Sequence, residues 1–433
     1  MKSRILLLSI LSICILSFQS CLKDKCEREI TYTKYTPIYK SLGEIQIPIN
    51  MEMARQLEQP GKIYFYSEYI FINELKEGIH IIDNSVPEAP INIGFIPIPG
   101  NVDIAIRDGI LFADNYMDLL AIDISNITAP FLAKRLESTF SKFYLDPENG
   151  YLTGYHTEVV TEMFDCETVD RPYGPYGYEQ WDDGFLNSDV RPTGSGGPVS
   201  TGGVDVSNTG LGGSLARFSL YDDYLYAIDD SDLYIYDIST VADPVNETSY
   251  PVGWNIETLY AFGDKLFIGG QNGMTILDAS DPSAPQHLSQ FWHWTACDPV
   301  FVKDNYAYVT LRTGTNCNGS QINQLDLVNI SDILNPYSAK TFEMDNPHGL
   351  SIKDNNLFLC EGDFGLKVFD IENPLTLDQH LISQFTDIAA TDVIVLPGNR
   401  NILLVIGSEG FYQYDFDDPT DLKTLSVIPV VRN

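Results

Sequence analysis

Gly365-Leu-Lys-Val-Phe-Asp370 is a short apolar stretch that ends in an aspartate, and the chain repeats it. The other copies are Gly78-Ile-His-Ile-Ile-Asp83, Asp118-Leu-Leu-Ala-Ile-Asp123, Asp232-Leu-Tyr-Ile-Tyr-Asp237 and Gly273-Met-Thr-Ile-Leu-Asp278. A proline follows each final Asp by four or seven residues, and the same spacing adds Asp165, Asn329 and Asp415. These eight anchors lie 40, 42, 72, 41, 51, 41 and 45 residues apart. A repeat of about 41 residues with two insertions therefore organises the chain.

One period contains four short alternating stretches separated by Asp, Asn and Gly turns, which is typical of a β-propeller blade. The sequence therefore predicts an all-β protein, a β-propeller of four-stranded blades. Eight anchors predict eight blades, with seven as the alternative because the third copy, residues 140–165, is degenerate. Either residues 42–49 or residues 425–431 would close the ring. The anchor Asp residues are expected to cap turn amides rather than to form a site.

The phrases Gly365-Leu-Lys-Val-Phe-Asp-Ile and Asp118-Leu-Leu-Ala-Ile-Asp-Ile-Ser resemble the LVIVD repeat of bacterial and archaeal surface proteins. The resemblance extends over about residues 42–430 and implies a β-propeller. It implies almost nothing about activity, because a fold does not determine a function.

The N-terminus has the pattern of an export signal. Lys2 and Arg4 precede an apolar run at residues 5–16, which is too short to span a bilayer, and Cys21 follows it. This arrangement resembles the lipobox of bacterial lipoproteins, which implies acylation of Cys21. We expect a signal peptide at 1–20, a polar tether at 21–40 and one propeller domain at 41–433, anchored by lipid to the outer membrane or cell surface.

The composition argues against nucleic-acid binding. The chain of 433 residues has 60 acidic and 26 basic side chains and a net charge of −34. Bound phosphates must be neutralised by Lys or Arg, and the net negative charge of this chain repels polyanions. We expect contact with a membrane only through the lipid anchor.

Polar residues recur where the innermost strand of each blade begins, a position that faces the central channel. They are Lys62, Asp103, Lys142, Arg217, Glu257, Asp298, His348 and Asp392. One interpretation is a solvated channel mouth with no specific role. The other is a ligand site built from Asp103, Arg217, Glu257, Asp298, His348 and Asp392. No cofactor is predicted, and Ca²⁺ or another divalent ion at the mouth is left open.

Three of the four tryptophans precede inner strands on the same face. Trp254 lies before Glu257, and Trp292 and Trp294 lie before Asp298. Exposed Trp beside carboxylates suits a sugar ring or another flat amphipathic ligand. The alternative is that these rings fill the seams between blades.

The insertion at 173–213 holds 11 of the 32 Gly and is expected to be either a lid over the channel mouth or a linker. It contains no phosphate-binding motif followed by a helix. Cys297 and Cys317 are predicted to open on one face and form a disulfide. The partners of Cys26, Cys166 and Cys360 stay open. No Cys or His spacing typical of a metal site occurs, so no metal ligand is assigned.

These features favour a binding or interaction module for an unidentified surface ligand or protein partner. None of the six His lies in a recognisable catalytic motif, and no catalytic residue is assigned. A hydrolase or lyase that uses His348 and Asp298 as an acid/base pair at the channel mouth is the alternative, and a purely structural scaffold is a third reading.

Overall fold

The computed structural model describes residues 27–140, 143–165, 209, 211–212, 216–270, 273–292, 299–312, 322–398 and 400–432. The chain divides into two compact units, and the described parts of the smaller one are residues 27–38 and 155–165. The larger unit comprises residues 39–154 and 183–433 and contains the repeated sheets. It is the unit that positions the candidate site.

Seven four-stranded antiparallel meanders form the blades of the larger unit, and nearly all described residues with regular structure are in strands. The strands of blades 1 to 3 are Pro60–Tyr66, Tyr69–Glu74, Gly78–Asp83 and Ile91–Pro97; Ile104–Arg107, Ile110–Asn115, Asp118–Asp123 and Phe131–Leu136; and Phe218–Tyr221, Tyr224–Ile228, Asp232–Asp237 and Val245–Pro251. The strands of blades 4 and 5 are Ile256–Phe262, Lys265–Gly270, Gly273–Asp278 and Gln286–Trp292; and Val300–Lys303, Tyr306–Leu311, Gln324–Asn329 and Tyr337–Glu343. The strands of blades 6 and 7 are Leu350–Lys353, Asn356–Cys360, Leu366–Asp370 and Leu381–Phe385; and Ala390–Val395, Ile402–Gly407, Gly410–Asp415 and Lys423–Pro429.

Short helical segments are few among the described residues. They are the helix Leu42–Ile45, which Ser41 begins with a capping box, and the 3-10 segment Pro374–Gln379 between the last two strands of blade 6. No described helix has the length and apolar character needed to cross a membrane.

The anchor residues cap turns, as predicted. In blade 1 the amide of Ser85 donates to Asp83 Oδ1 at 3.0 Å, and in blade 3 the amide of Ser239 donates to Asp237 Oδ1 at 2.7 Å. The same bond to a residue two positions later occurs at Asp123, Asp278, Asn329, Asp370 and Asp415. These bonds lower the pKa of Asp83 and of Asp237. The repeated carboxylates are therefore structural elements of the turn after the third strand.

The alternating strand direction defines two faces of the larger unit. We call the face where the innermost strands begin the top face, and the face with the anchor residues the bottom face. The turn after each second strand and the end of each outermost strand also lie on the top face. Side chains from these three places can therefore converge around the channel mouth.

The ring of blades closes between blade 7 and blade 1. Buried Ile63 and Ile72 of blade 1 share a hydrophobic cluster with Leu404 of blade 7. Leu57 forms a parallel bridge with Val430, and the amide of Val431 donates to Leu57 O at 2.8 Å. Of the two segments considered for closure, the C-terminal one supplies the outermost strand of blade 7, whereas Leu42–Ile45 is helical.

The third repeat forms an eighth sheet that has three described strands and differs from a blade. Its strands are Glu27–Lys40, Gly150–Asp165 and Leu145–Asp146, in that spatial order. Blade 2 packs directly against blade 3, because Asp103 of blade 2 accepts the amides of Arg217 and Phe218. Eight sheets are present, but the four-stranded blades among the described residues number seven, which was the alternative.

Two connecting segments are described in part. Residues 27–40, assigned to a polar tether, form a strand of the three-stranded sheet. The end of the Gly-rich insertion returns inside the ring, because Leu211 pairs with Phe65 of the innermost strand of blade 1 and Thr209 bridges Arg107 of blade 2. Its described end thus lies along the channel wall near the ends of inner strands, and the choice between a lid and a linker stays a prediction. Most of residues 173–213 lies outside the described part of the chain.

Candidate functional site

The start of each innermost strand brings ionisable groups to the channel mouth, as the repeat predicts. Lys62, Asp103, His348 and Asp392 are buried there, and Arg217 and Glu257 are partly buried. Lys142 and Asp298 lie outside the described residues, so their placement remains a prediction.

Lys62 and Asp103 form a buried ion pair across the seam between blades 1 and 2. Lys62 Nζ lies 2.7 Å from Asp103 Oδ2. The same carboxylate accepts the amides of Arg217 and of Phe218, the latter at 3.0 Å, and the amide of Ile104. Burial lowers the pKa of Lys62, and Asp103 opposes that effect. Because Asp103 is fully engaged, it ties blades 1, 2 and 3 together and is not available to a ligand.

Arg312 is a member of this group that the sequence reasoning missed. It follows the second strand of blade 5, Tyr306–Leu311, and is 9% exposed. Burial lowers its pKa and the nearby Glu257 carboxylate opposes the effect, which places the two charges close together. The available signal was its position, because the turn after a second strand opens on the top face.

With Arg312 included, each of the seven blades contributes one ionisable group to the mouth, and acidic and basic groups alternate from blade 7 through blade 1 to blade 5. In ring order they are Asp392, Lys62, Asp103, Arg217, Glu257, Arg312 and His348. The three basic members act electrostatically on neighbours: Lys62 on Asp392, Arg217 on Lys62 and Glu257, and Arg312 on Glu257 and His348. We call this set the mouth ring. Burial raises the pKa of Glu257, while Arg312 and Arg217 favour its ionised form.

Asp392 is the least compensated member of the mouth ring. Its side chain is 0% exposed, and neither carboxylate oxygen accepts a well-formed hydrogen bond among the described residues. Burial raises its pKa to about 8, although the neighbouring Val393 amide and Lys62 favour the charged form. A Cβ added at Gly349 of blade 6 would overlap Asp392 Oδ1. A carboxyl with this pKa is mainly protonated at pH 7. The divalent ion left open for the mouth stays a prediction.

His348 is held as a neutral imidazole. Burial and the Arg312 charge lower its pKa to about 3. The Asn346 amide nitrogen lies 3.1 Å from His348 Nε2, and Nδ1 has no partner among the described residues. At neutral pH this histidine is therefore not a protonated imidazolium that could act as a general acid. Its proposed acid/base partner, Asp298, lies outside the described residues, so that pair remains a prediction.

Further carboxylates at this face are structural. Glu74 accepts the amides of Glu58 and Gln59 and pairs with His80, whose Nε2 lies 2.9 Å from Glu74 Oε2. Glu361 accepts the amide of Asn346 at 2.6 Å and contacts Lys367 Nζ at 3.0 Å. Each lies at the end of a second strand and holds the loop that precedes its own inner strand. No group of three or more His, Cys, Asp or Glu suited to a metal occurs in the described part of the chain.

The tryptophans that are described are exposed. Trp254 is 78% exposed in the loop before the inner strand of blade 4, and Trp292 is 68% exposed at the end of that blade's outermost strand. Both positions belong to the top face. Exposure of this size is incompatible with the seam-filling alternative for these two rings. Trp294 lies outside the described residues, as do Cys21, Cys297 and Cys317, while Cys360 is buried and free.

Several solved structures resemble this fold at low sequence identity. They include the computationally designed Ika8 protein (10% identity, TM-score 0.46, covering 88% of this chain and 92% of that chain). BamB from Moraxella catarrhalis has 7% identity and a TM-score of 0.46, with 91% and 98% covered. A protein from Lactobacillus plantarum has 11% identity and a TM-score of 0.42, with 93% and 97% covered. No curated protein matches the sequence.

The LVIVD repeat family model matches residues 103–137, 212–252 and 258–291. These ranges coincide with blades 2, 3 and 4, so one sequence repeat corresponds to one four-stranded blade. The structure and this match together confirm the resemblance drawn from the repeated phrases: the chain contains LVIVD repeats, and they form blades of a β-propeller.

Proposed function

We propose that this protein is a binding module that holds a saccharide, or another flat amphipathic molecule, on its top face. The observation that carries the proposal is the exposure of Trp254 and Trp292, both on blade 4. A propeller of LVIVD repeats is a fold consistent with an interaction module. The chemistry at the mouth supports binding over catalysis, because His348 is neutral, Asp392 is mainly protonated at pH 7, and Asp103 is engaged with Lys62 and backbone amides.

Two exposed indole rings on one blade are unusual for a surface with no ligand. Indole has a large apolar face and one N–H donor, so it is normally at least half buried. A sugar ring presents C–H groups on one face and hydroxyls at its edge. It can therefore pack on indole while its hydroxyls bond to polar groups such as Glu257 at the mouth.

We further propose that the protein is exported and carries a lipid on Cys21, as the N-terminal sequence pattern suggests. An anchored protein with its top face free would present the tryptophans to a ligand outside the cell. Incorporation of labelled palmitate into the wild type, and its loss in Cys21→Ser, tests this part independently of any ligand.

The binding proposal is tested with Trp254→Ala and Trp292→Ala. A glycan array screened with the full chain identifies a ligand, and calorimetry then measures its affinity for each variant. Loss of a stacking indole should lower the affinity about fivefold to a hundredfold, since it removes about 1–3 kcal/mol of aromatic contact. Tyr337→Ala is the matched control, because Tyr337 is 57% exposed but begins the outermost strand of blade 5 on the bottom face. The proposal is wrong if the wild type binds no glycan, or if both Trp variants bind like the control.

A further inference from the structure

Two hydrogen-bond donors at the mouth ring have no acceptor in the described part of the chain. Arg312 of blade 5 is 9% exposed and His348 of blade 6 is 5% exposed. Arg312 Nε and His348 Nδ1 are both buried without a hydrogen-bond partner among the described residues. A buried donor without an acceptor destabilises the folded protein, so two on neighbouring blades call for an explanation.

The local geometry fixes both groups as donors beside each other. Because the Asn346 Nδ2 amide donates to His348 Nε2 at 3.1 Å, the imidazole proton resides on Nδ1. Thr310, two residues before Arg312, donates through Oγ1 to His348 O at 2.9 Å. That bond joins the second strand of blade 5 to the start of blade 6 and holds the two side chains at one seam. The Arg312 Nε–H and His348 Nδ1–H groups are thus unpaired donors, among the described residues, at the same part of the mouth.

The charge of the mouth ring favours an anion there, despite the acidity of the chain. The basic side chains among the described members of the mouth ring are Lys62, Arg217 and Arg312, and the acidic ones that oppose them are Asp103 and Glu257. Asp103 is occupied by Lys62 and by backbone amides. Asp392 is uncharged at neutral pH and does not cancel Arg312. Even with Glu257 fully ionised, the described ring keeps a net positive charge.

We propose that Arg312 and His348 bind a carboxylate group of the ligand, so that the saccharide held by the tryptophans is an acidic one such as a uronic acid. This inference rests on the proposed function and specifies its substrate class. A carboxylate supplies acceptors to both donors and a counter-charge to Arg312, whereas a neutral sugar hydroxyl supplies no counter-charge. Acidic peptides carry the same group, but they do not present the flat ring face that suits Trp254 and Trp292.

The test compares a galacturonic acid trisaccharide with its methyl ester, which has the same shape and no charge. Calorimetry measures both ligands on the full chain for the wild type, Arg312→Gln and Arg312→Lys. Arg400→Gln is the matched control, because that arginine pairs with Glu88 on the exterior and its side chain is 53% exposed. A melting curve of each variant checks its folding.

The wild type should bind the free acid about tenfold or more tightly than the ester, since a hydrogen bond to a charged group contributes 1.5–3 kcal/mol. Arg312→Gln should remove most of that preference, Arg312→Lys should keep part of it, and Arg400→Gln should leave it unchanged. Equal affinity of the wild type for acid and ester overturns the inference without any variant and leaves the proposed function standing. A preference for the free acid that survives in folded Arg312→Gln likewise overturns the inference and leaves the proposed function standing. Binding of an Asp-Glu tetrapeptide but of no saccharide overturns both proposals.

Discussion

Replacement of Asp392 by Asn should make the stability of this protein less dependent on pH. Asp392 is fully buried, and its carboxyl has no well-formed hydrogen bond among the described residues. Its pKa is about 8 in the folded protein against an ordinary value of 3.8. Asparagine has the shape of a protonated carboxyl and cannot ionise, so it isolates the effect of the charge.

The direction in which the free energy of unfolding changes with pH follows from proton binding. Below about pH 4 the carboxyl is protonated in both states, and the stabilising effect of its raised pKa is fully present. Between about pH 4 and pH 8 the unfolded chain releases the proton while the folded chain retains it, so the free energy of unfolding falls as pH rises. Each pH unit contributes about 1.4 kcal/mol, which gives roughly 6 kcal/mol as an upper bound over the whole range. Above the folded pKa no further loss occurs.

Guanidinium unfolding of the wild type and Asp392→Asn at pH 5, 7 and 9 measures this contribution. The variant should gain about 4 kcal/mol relative to the wild type between pH 5 and pH 9, because the folded carboxyl holds its proton over most of that interval. Asp237→Asn is the control. The pKa of Asp237 is lowered by hydrogen bonds from Ser239, so it stays ionised throughout the range. A constant difference between Asp392→Asn and the wild type would show that the carboxylate has a partner, with Lys62 the nearest cation that acts on it.

Two further substitutions test the packing of the mouth. Gly349→Ala should destabilise the fold by about 1–3 kcal/mol in thermal unfolding, because the added Cβ would overlap Asp392 Oδ1, whereas Gly43→Ala should be neutral since nothing lies within 4 Å of its Cβ position. Asp103→Ala should cost about 3–5 kcal/mol in chemical unfolding, because it leaves Lys62 as an unpaired buried charge, and the double variant with Lys62→Met should recover part of that loss. Equal stability of Asp103→Ala and the wild type would mean that the pair contributes nothing to the seam.

The blade repeat could be predicted because its signals are local. Asp83 and its six counterparts bond to amides two residues later, so the turn is specified by adjacent sequence and recurs with the strands. The number of blades is a different kind of property. Asp165 ends a strand followed by Pro172, like the other anchors, yet that strand pairs with Glu27–Lys40. The same local phrase fits a blade and a separate sheet, and only the packing of blade 2 on blade 3 distinguishes them.

The sequence predicted where the site residues lie, but not their hydrogen-bond partners or protonation. The inner-strand starts do converge, and yet Asp103 and Asp392, which look alike in the sequence, have opposite roles. Asp103 accepts hydrogen bonds from Lys62 and from backbone amides, whereas Asp392 has no well-formed hydrogen bond among the described residues and its pKa is raised to about 8. Both outcomes depend on side chains that reach across a seam from another blade, at separations of about one repeat. Arg312 escaped notice for the same reason, because its neighbours Glu257 and His348 belong to different blades.

The net charge of −34 therefore constrains the ligand less than it first suggests. The anchor carboxylates lie on the bottom face, separated from the mouth by strands such as Gly78–Asp83, whose six residues span about 20 Å. Charges at that distance are largely screened at physiological ionic strength, where the Debye length is about 8 Å. An extended polyanion such as a nucleic acid still contacts much of the acidic surface and is repelled. A short ligand with one or two carboxylates is subject mainly to the mouth ring, where Arg312 and Arg217 outweigh Glu257. Whole-chain acidity thus argues against long polyanions, and under the proposal the mouth ring sets the preference among small ligands.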